Sequence, residues 1–149
     1  MILRDATLTD AGRVGAIMEG FARETPWLPD LWTGAEHIAH ADAMIGRGWV
    51  RLAEDAEGIL GFLARDRQEI AALYVDPART GSGVGSALVA EAQRAERRLA
   101  LWVHDANAGA RAFYRRHGFA ETAETARDQS DEGLPARRCT WRRDPEETT

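Results

Sequence analysis

The stretch VDPARTGSGVGSAL, Val75 to Leu88, places glycines at alternate positions 81, 83 and 85 between an apolar strand-like run and an apolar helix-like run. Glycine weakens helices and strands alike, so this alternation points to a job for the bare backbone. A strand ending in a glycine turn that opens a helix is a common way to hold phosphate. Successive N–H groups converge on the anion, and the helix N-terminus adds a positive field. The dipole contributes about 0.3–1 kcal/mol. Each hydrogen bond to a charged oxygen adds about 1.5–3 kcal/mol, so several together anchor a diphosphate.

Three phosphate motifs compete for the stretch. A P-loop needs Gly-Lys-Ser/Thr, and the chain has no lysine: all 19 residues counted as Lys or Arg are arginine. A dinucleotide fingerprint needs GxGxxG early in a βαβ unit. Here Ser86 stands where the last glycine belongs. Asp105 falls about where a ribose-binding acid would, but the motif sits mid-chain with no room for a full doubly wound sheet. The third candidate is a loop for the pyrophosphate of coenzyme A.

The rest of the chain sets the frame. Its 149 residues suffice for one domain with a real core. We expect that domain over 1–143, with a polar C-terminal tail over 144–149. No apolar run approaches the ~20 residues of a membrane span, and residues 1–10 lack a signal-peptide pattern. Cys139 is the only cysteine, so no internal disulfide forms and a reducing cytoplasm is expected. The formal charge of −5 argues against a nucleic-acid surface. His37, His40, His104 and His117 lack a supporting metal-ligand spacing, so no metal site is expected.

Periodicity and punctuation predict the elements. Ile2–Ala6 reads as a strand. Thr9 can cap a helix whose apolar face uses Val14, Ile17, Met18 and Phe21. A connection punctuated by Pro and Gly follows, then a helix over about Ala35–Arg47. WVRLAED and GILGFLARD read as two strands around a turn. EIAALYVD, mostly apolar, reads as a strand buried on both faces. A helix is predicted over Gly83–Arg98, then the strand LALWVHD. Asn107 can cap the next helix, which Gly118 stops. Strands near Phe119–Ala126 and Ala136–Arg142 close the chain. The order is β-α-α-β-β-β-α-β-α-β-β: an α+β domain with a mixed sheet, antiparallel except across the two helical crossovers.

LYVDPARTGSGVGSALV resembles the acetyl-CoA loop of the GNAT family of N-acetyltransferases, usually written Gln/Arg-x-x-Gly-x-Gly/Ala. NAGARAFYRRHGF resembles that family's following motif: an Asn, then Phe-Tyr, then Gly-Phe. The motifs lie in the family's order, and the element order matches over almost the whole chain, as in small single-domain bacterial-type members. The resemblance implies a fold of about seven strands flanked by about four helices, with acetyl-CoA as cofactor. Aligning Gly83-Val84-Gly85 on Gly-x-Gly puts Thr80 where Gln or Arg is usual, with Arg79 one position early. Backbone donors from Gly81 through Ser82, Gly83, Val84 and Gly85 to Ser86 do not depend on that side chain. Arg79 or the Thr80 hydroxyl is expected to substitute in part.

The resemblance further implies that the backbone of Leu73, Tyr74 and Val75 runs along the pantetheine arm, with an N–H polarising the thioester. It makes Tyr114 the acid that protonates the departing thiolate; a phenol near ~10 is protonated at neutral pH. It adds a cofactor contact to the capping role of Asn107. A lysine-like amine of pKa ~10.4 is neutral about once in two thousand molecules at pH 7, so a base is expected. Glu69 stands where some members carry a catalytic glutamate. Trp102 occupies the other such position, and His104 lies two residues further on the same strand face. Glu69 is favoured, with His104 the competitor. Family members place the acceptor between two loops, which here offer Trp27 and Trp32 on one side and Asp128, Asp131 and Glu132 on the other. Aromatics beside carboxylates suit a small cationic amine. The leading expectation is an N-acetyltransferase acting on a small-molecule amine. A protein or peptide N-terminal acetyltransferase and a non-catalytic CoA-binding module are the alternatives. A homodimer is neither required nor excluded.

Overall fold

The computed structural model describes residues 1–28, 32–127 and 133–144. Its elements are β1 (Ile2–Asp5), α1 (Ala11–Glu24), α2 (Gly34–Gly46), β2 (Val50–Asp55), β3 (Gly58–Asp66), β4 (Glu69–Val75), α3 (Val84–Ala95), β5 (Arg98–His104), α4 (Ala108–Arg116), β6 (Ala120–Arg127) and β7 (Pro135–Arg142). The predicted order is present, together with two short 3-10 turns before α1 and after β4. Thr33 caps α2 through a capping box with Glu36. The turn before α1 is capped at Thr7, two residues ahead of the expected Thr9. α3 ends three residues early, because Arg98 already belongs to β5.

All seven strands form one sheet in the order β1-β2-β3-β4-β5-β7-β6. Among the described residues only β4 and β5 pair in parallel. The second helical crossover does not give a parallel pair, contrary to expectation, because β7 inserts between β5 and β6 and pairs antiparallel with both.

Two cores cover the two sheet faces unequally. α1 and α2 pack Val14, Ile17, Ala41 and Ile45 against Val50, Leu52, Phe62 and Ala64, all from the first half of the sheet. α3 and α4 sit on the other face, where Val84, Leu88, Val89 and Tyr114 meet Leu63, Ile70, Leu99, Leu101, Val103 and Cys139 from both halves. The outer face of β5 is therefore left open on the α1–α2 side, and Trp102 is 43% exposed there. No described helix is long and apolar enough to cross a membrane.

Candidate active site

The site begins with a defect in β4. Its parallel pairing with β5 lasts two residue pairs, Glu69–Ala100 and Ile70–Leu101. Just beyond, its register on β3 jumps from Arg65–Ile70 to Ala64–Ala72, leaving Ala71 as an extra residue. A bulge bends and over-twists its strand, and β4 here swings away from β5. β4 is accordingly not buried on both faces as expected: of its residues only Ile70 is fully buried, since the rest of one edge borders a groove. The groove has a volume of about 730 Å³ and is lined by β4, β5, the glycine loop and α4.

The backbone of β4 faces the groove in a fixed phase. Asp76 donates to the Leu60 carbonyl at 2.7 Å. In an antiparallel ladder the bonded residues alternate, so Tyr74 and Ala72 also bond to β3, while Leu73 and Val75 turn their N–H and C=O groups to the gap. Their side chains pack toward α3 and α4. The Tyr74 ring packs the other way, against Phe21 and Phe62.

The three glycines answer to two different causes. Gly81 and Gly83 have φ of +81° and +85°, where a side chain is strained. Gly85 lies in the first turn of α3, and a Cβ there would sit 3.3 Å from Phe113 Cζ, so this glycine lets α3 and α4 touch. No described side chain caps α3, and the amides of Val84, Gly85 and Ser86 have no helical partner. They line the groove with Gly81 and Gly83 as an anion-receptive cradle. Ser82 does not join them: its N–H and hydroxyl both turn back to the Arg79 carbonyl.

The two side chains expected to replace the missing Gln or Arg are occupied. The Arg79 guanidinium lies against Asp55 (3.5 Å) and Glu57 on the β2–β3 turn. The Thr80 hydroxyl donates to the Pro77 carbonyl at 3.2 Å. Both residues also line the groove.

Tyr114 lines the groove from the α4 side and is 8% exposed. Phe113 and Phe119 hold its ring with centroids 5.3 and 5.4 Å away. Its hydroxyl bonds to no described residue, and burial pushes the phenol well above its ordinary value. Asn107 caps α4 by accepting from the Ala110 N–H at 3.0 Å. That uses its oxygen and leaves its amide nitrogen with no bond to a described residue, and Asn107 lines the groove.

Val103 packs in the α3–α4 core, so its strand neighbours Trp102 and His104 face the opposite side. Both line the groove. The Trp27 ring meets His104 with centroids 5.3 Å apart. The gap is thus flanked by a phenol on one sheet face and an imidazole on the other.

Glu69 lies elsewhere. The bulge at Ala71 shifts its phase onto the face of Trp102, but at the closed foot of the β4–β5 pair. Arg138 grips both its oxygens at 2.7 and 2.6 Å, and the same guanidinium stacks on Trp102 at 5.2 Å. Glu69 does not line the groove, and the fold does not bring it to Tyr114. Trp32 packs on His40 of α2, also away from the groove. Asp128, Asp131 and Glu132 lie outside the described residues. Among the groove residues that the sequence did not single out are Ala71, whose bulge depends on its partner strand, and Arg116, one of many arginines.

A mixed sheet opened beside its β4–β5 pairing offers room for an extended ligand, with backbone donors suited to an anion at the mouth. The family model for the GNAT acetyltransferase domain matches residues 45–121, just over half of the chain, and the chain belongs to that family. An uncharacterised N-acetyltransferase of Methanocaldococcus jannaschii is 39% identical over 75 residues, which is 47% of this chain and 33% of that protein. The match thus spans about a third of that relative's length. Among solved structures, apo YjaB of Escherichia coli superposes with a TM-score of 0.80 at 22% identity, covering 97% of this chain and 100% of that one. A ribosomal-protein-alanine N-acetyltransferase of Brucella melitensis reaches 0.74 at 21% identity, over 95% and 99% of the two chains. YncA of Salmonella typhimurium, solved with its cofactor acetyl-CoA, reaches 0.70 at 20%, over 99% and 96%. At these identities the structures speak for the fold.

Proposed function

We propose that this chain is an acetyl-CoA-dependent N-acetyltransferase that acetylates a primary amine of a small molecule. The observation that carries this reading is one groove lined by the amide cradle, the β4 edge beyond its short pairing with β5, and Tyr114. Acetyl-CoA supplies an acetyl group activated as a thioester. The cradle of Gly81 and Gly83–Ser86 suits its diphosphate, and the Asn107 amide offers a donor to its arm. Leu73 and Val75 offer N–H and C=O groups like an added strand, and one of those N–H groups polarises the thioester carbonyl.

Two proton transfers remain, and the two faces divide them. On one face His104 accepts a proton from the attacking amine, directly or through water. Histidine exchanges protons in the neutral range, whereas Glu69 would first have to leave Arg138. On the other face Tyr114 donates its proton to the thiolate sulfur as the bond to the acetyl carbon breaks. Trp27 and Trp102 border the acceptor side.

One observation favours a second reading, acetylation of a peptide N-terminus. No Asp or Glu among the described residues lines the groove. An α-amino group, with a pKa of about 7.7–8.0, needs less help to lose its proton than a lysine-like amine. A thiol-release assay with acetyl-CoA against small amines, amino acids and short peptides separates the readings. Release with small amines supports the first, and release with peptides alone supports the second. Binding of acetyl-CoA with no release on any acceptor favours the non-catalytic module.

A further inference from the structure

The family's loop places a long polar side chain where this chain has Thr80, and the nearby arginine is already tied to Asp55 and Glu57. Among the described residues the groove has one other arginine, Arg116, in the last turn of α4. Its guanidinium pairs with no carboxylate among the described residues. Two contacts bring this end of α4 against the start of α3. Gly85 lies under Phe113, and Ser86 Oγ is 3.0 Å from His117 Nε2. The Arg116 charge is also felt at the His117 ring, whose pKa is lowered first by burial and then by that charge. A free cation therefore stands beside the amide cradle, on the neighbouring helix rather than on the loop.

We propose that Arg116 supplies the charge that the loop lacks at Thr80, pairing with a phosphate of the cofactor's nucleotide half. This rests on the acetyl-CoA reading above. An arginine at this place matches phosphate in both charge and fork geometry. Its position at the helix end lets the long side chain reach across the cradle without disturbing the loop's backbone.

Calorimetry with coenzyme A and with dephospho-coenzyme A, which lacks the 3′-phosphate, tests the proposal. The proteins are wild type, Arg116→Gln, Arg116→Lys and, as a charge-matched control, Arg115→Gln. Arg116→Gln should weaken coenzyme A binding about tenfold, Arg116→Lys less, and Arg115→Gln hardly at all. The thermal midpoint of ligand-free Arg116→Gln should match wild type, because the residue is exposed. A loss confined to coenzyme A assigns Arg116 to the 3′-phosphate. An equal loss with both ligands assigns it to the diphosphate. Either supports the proposal. Unchanged affinity for both ligands, or an equal loss in Arg115→Gln, overturns it. A wild-type protein that binds neither ligand would instead overturn the cofactor reading, before any variant is compared.

Discussion

Tyr114 shows how one residue can be read twice. It is packed like a core aromatic, yet its hydroxyl bonds to no described residue and it lines the groove. Burial raises its pKa above the ordinary 10, so the acid form persists to higher pH than in a free phenol. Tyr114→Phe should lower kcat about 100-fold, at the low end of what a general acid contributes. The affinity for acetyl-CoA should not change, and unchanged turnover would remove the acid role. His104→Gln should cost more turnover than Glu69→Gln, and its deficit should shrink at alkaline pH, where the amine deprotonates unaided. The reverse ranking, with Glu69→Gln the worse, would return the base to Glu69. Tyr114 and Asn107 were legible because their helix and its cap are local. The phase of Glu69 was not. Counting by twos along β4 aligns it with Val75, and the bulge at Ala71 breaks that count.

At the scale of elements, the loop and α3 form a unit whose shape depends on backbone freedom. Gly83 is the left-handed N-cap of α3. Gly83→Ala meets no clash, since nothing lies within 4 Å of its Cβ, so the cost is conformational. It should destabilise by about 1–2 kcal/mol, or roughly 3 °C per kcal/mol in Tm. It should also weaken coenzyme A binding by tilting the amides out of the cradle. A full loss of stability with intact binding would mean that the cradle is not where the ligand sits. Element types and order were legible because periodicity and punctuation are local, as at α4 between its cap Asn107 and its stop Gly118. The insertion of β7 between β5 and β6 was not, because strand order is set by long-range pairing that no local window contains. For the same reason β4 read as a doubly buried strand: an apolar run looks alike whether its edge is paired or faces a groove.

Over the whole molecule, the sheet is two halves joined at a narrow foot. Charge pairs brace the first half from outside. Arg4 holds Asp10 below its ordinary 3.8, and Arg51 holds Glu91 below 4.5. A carboxylate with a depressed folded pKa stabilises fully above its unfolded value and loses that contribution as pH falls through the folded value. Tm should therefore hold down to about pH 5 and decline below it, with Asp10→Asn flattening part of the decline; a Tm constant to pH 3 would contradict this. The two halves themselves share two ladder pairs of β4 and β5, plus the core under α3 and α4. Beyond that foot, Leu73 and Val75 carry backbone groups with no strand to meet, while Ala72 and Tyr74 are already bonded to β3. On the proposed reading, a ligand in the gap would take the place of the missing strand and tie the halves together. Amide hydrogen exchange can see this residue by residue. Without ligand, Ala72 and Tyr74 should exchange slowly and Leu73 and Val75 fast. With saturating acetyl-CoA, Leu73 or Val75 should slow, and Tm should rise with ligand concentration, by about 2.7 kcal/mol of added stability at a hundred times Kd. Protection at the glycine loop without any at Leu73 or Val75 would mean that the nucleotide half binds but its arm does not enter the gap.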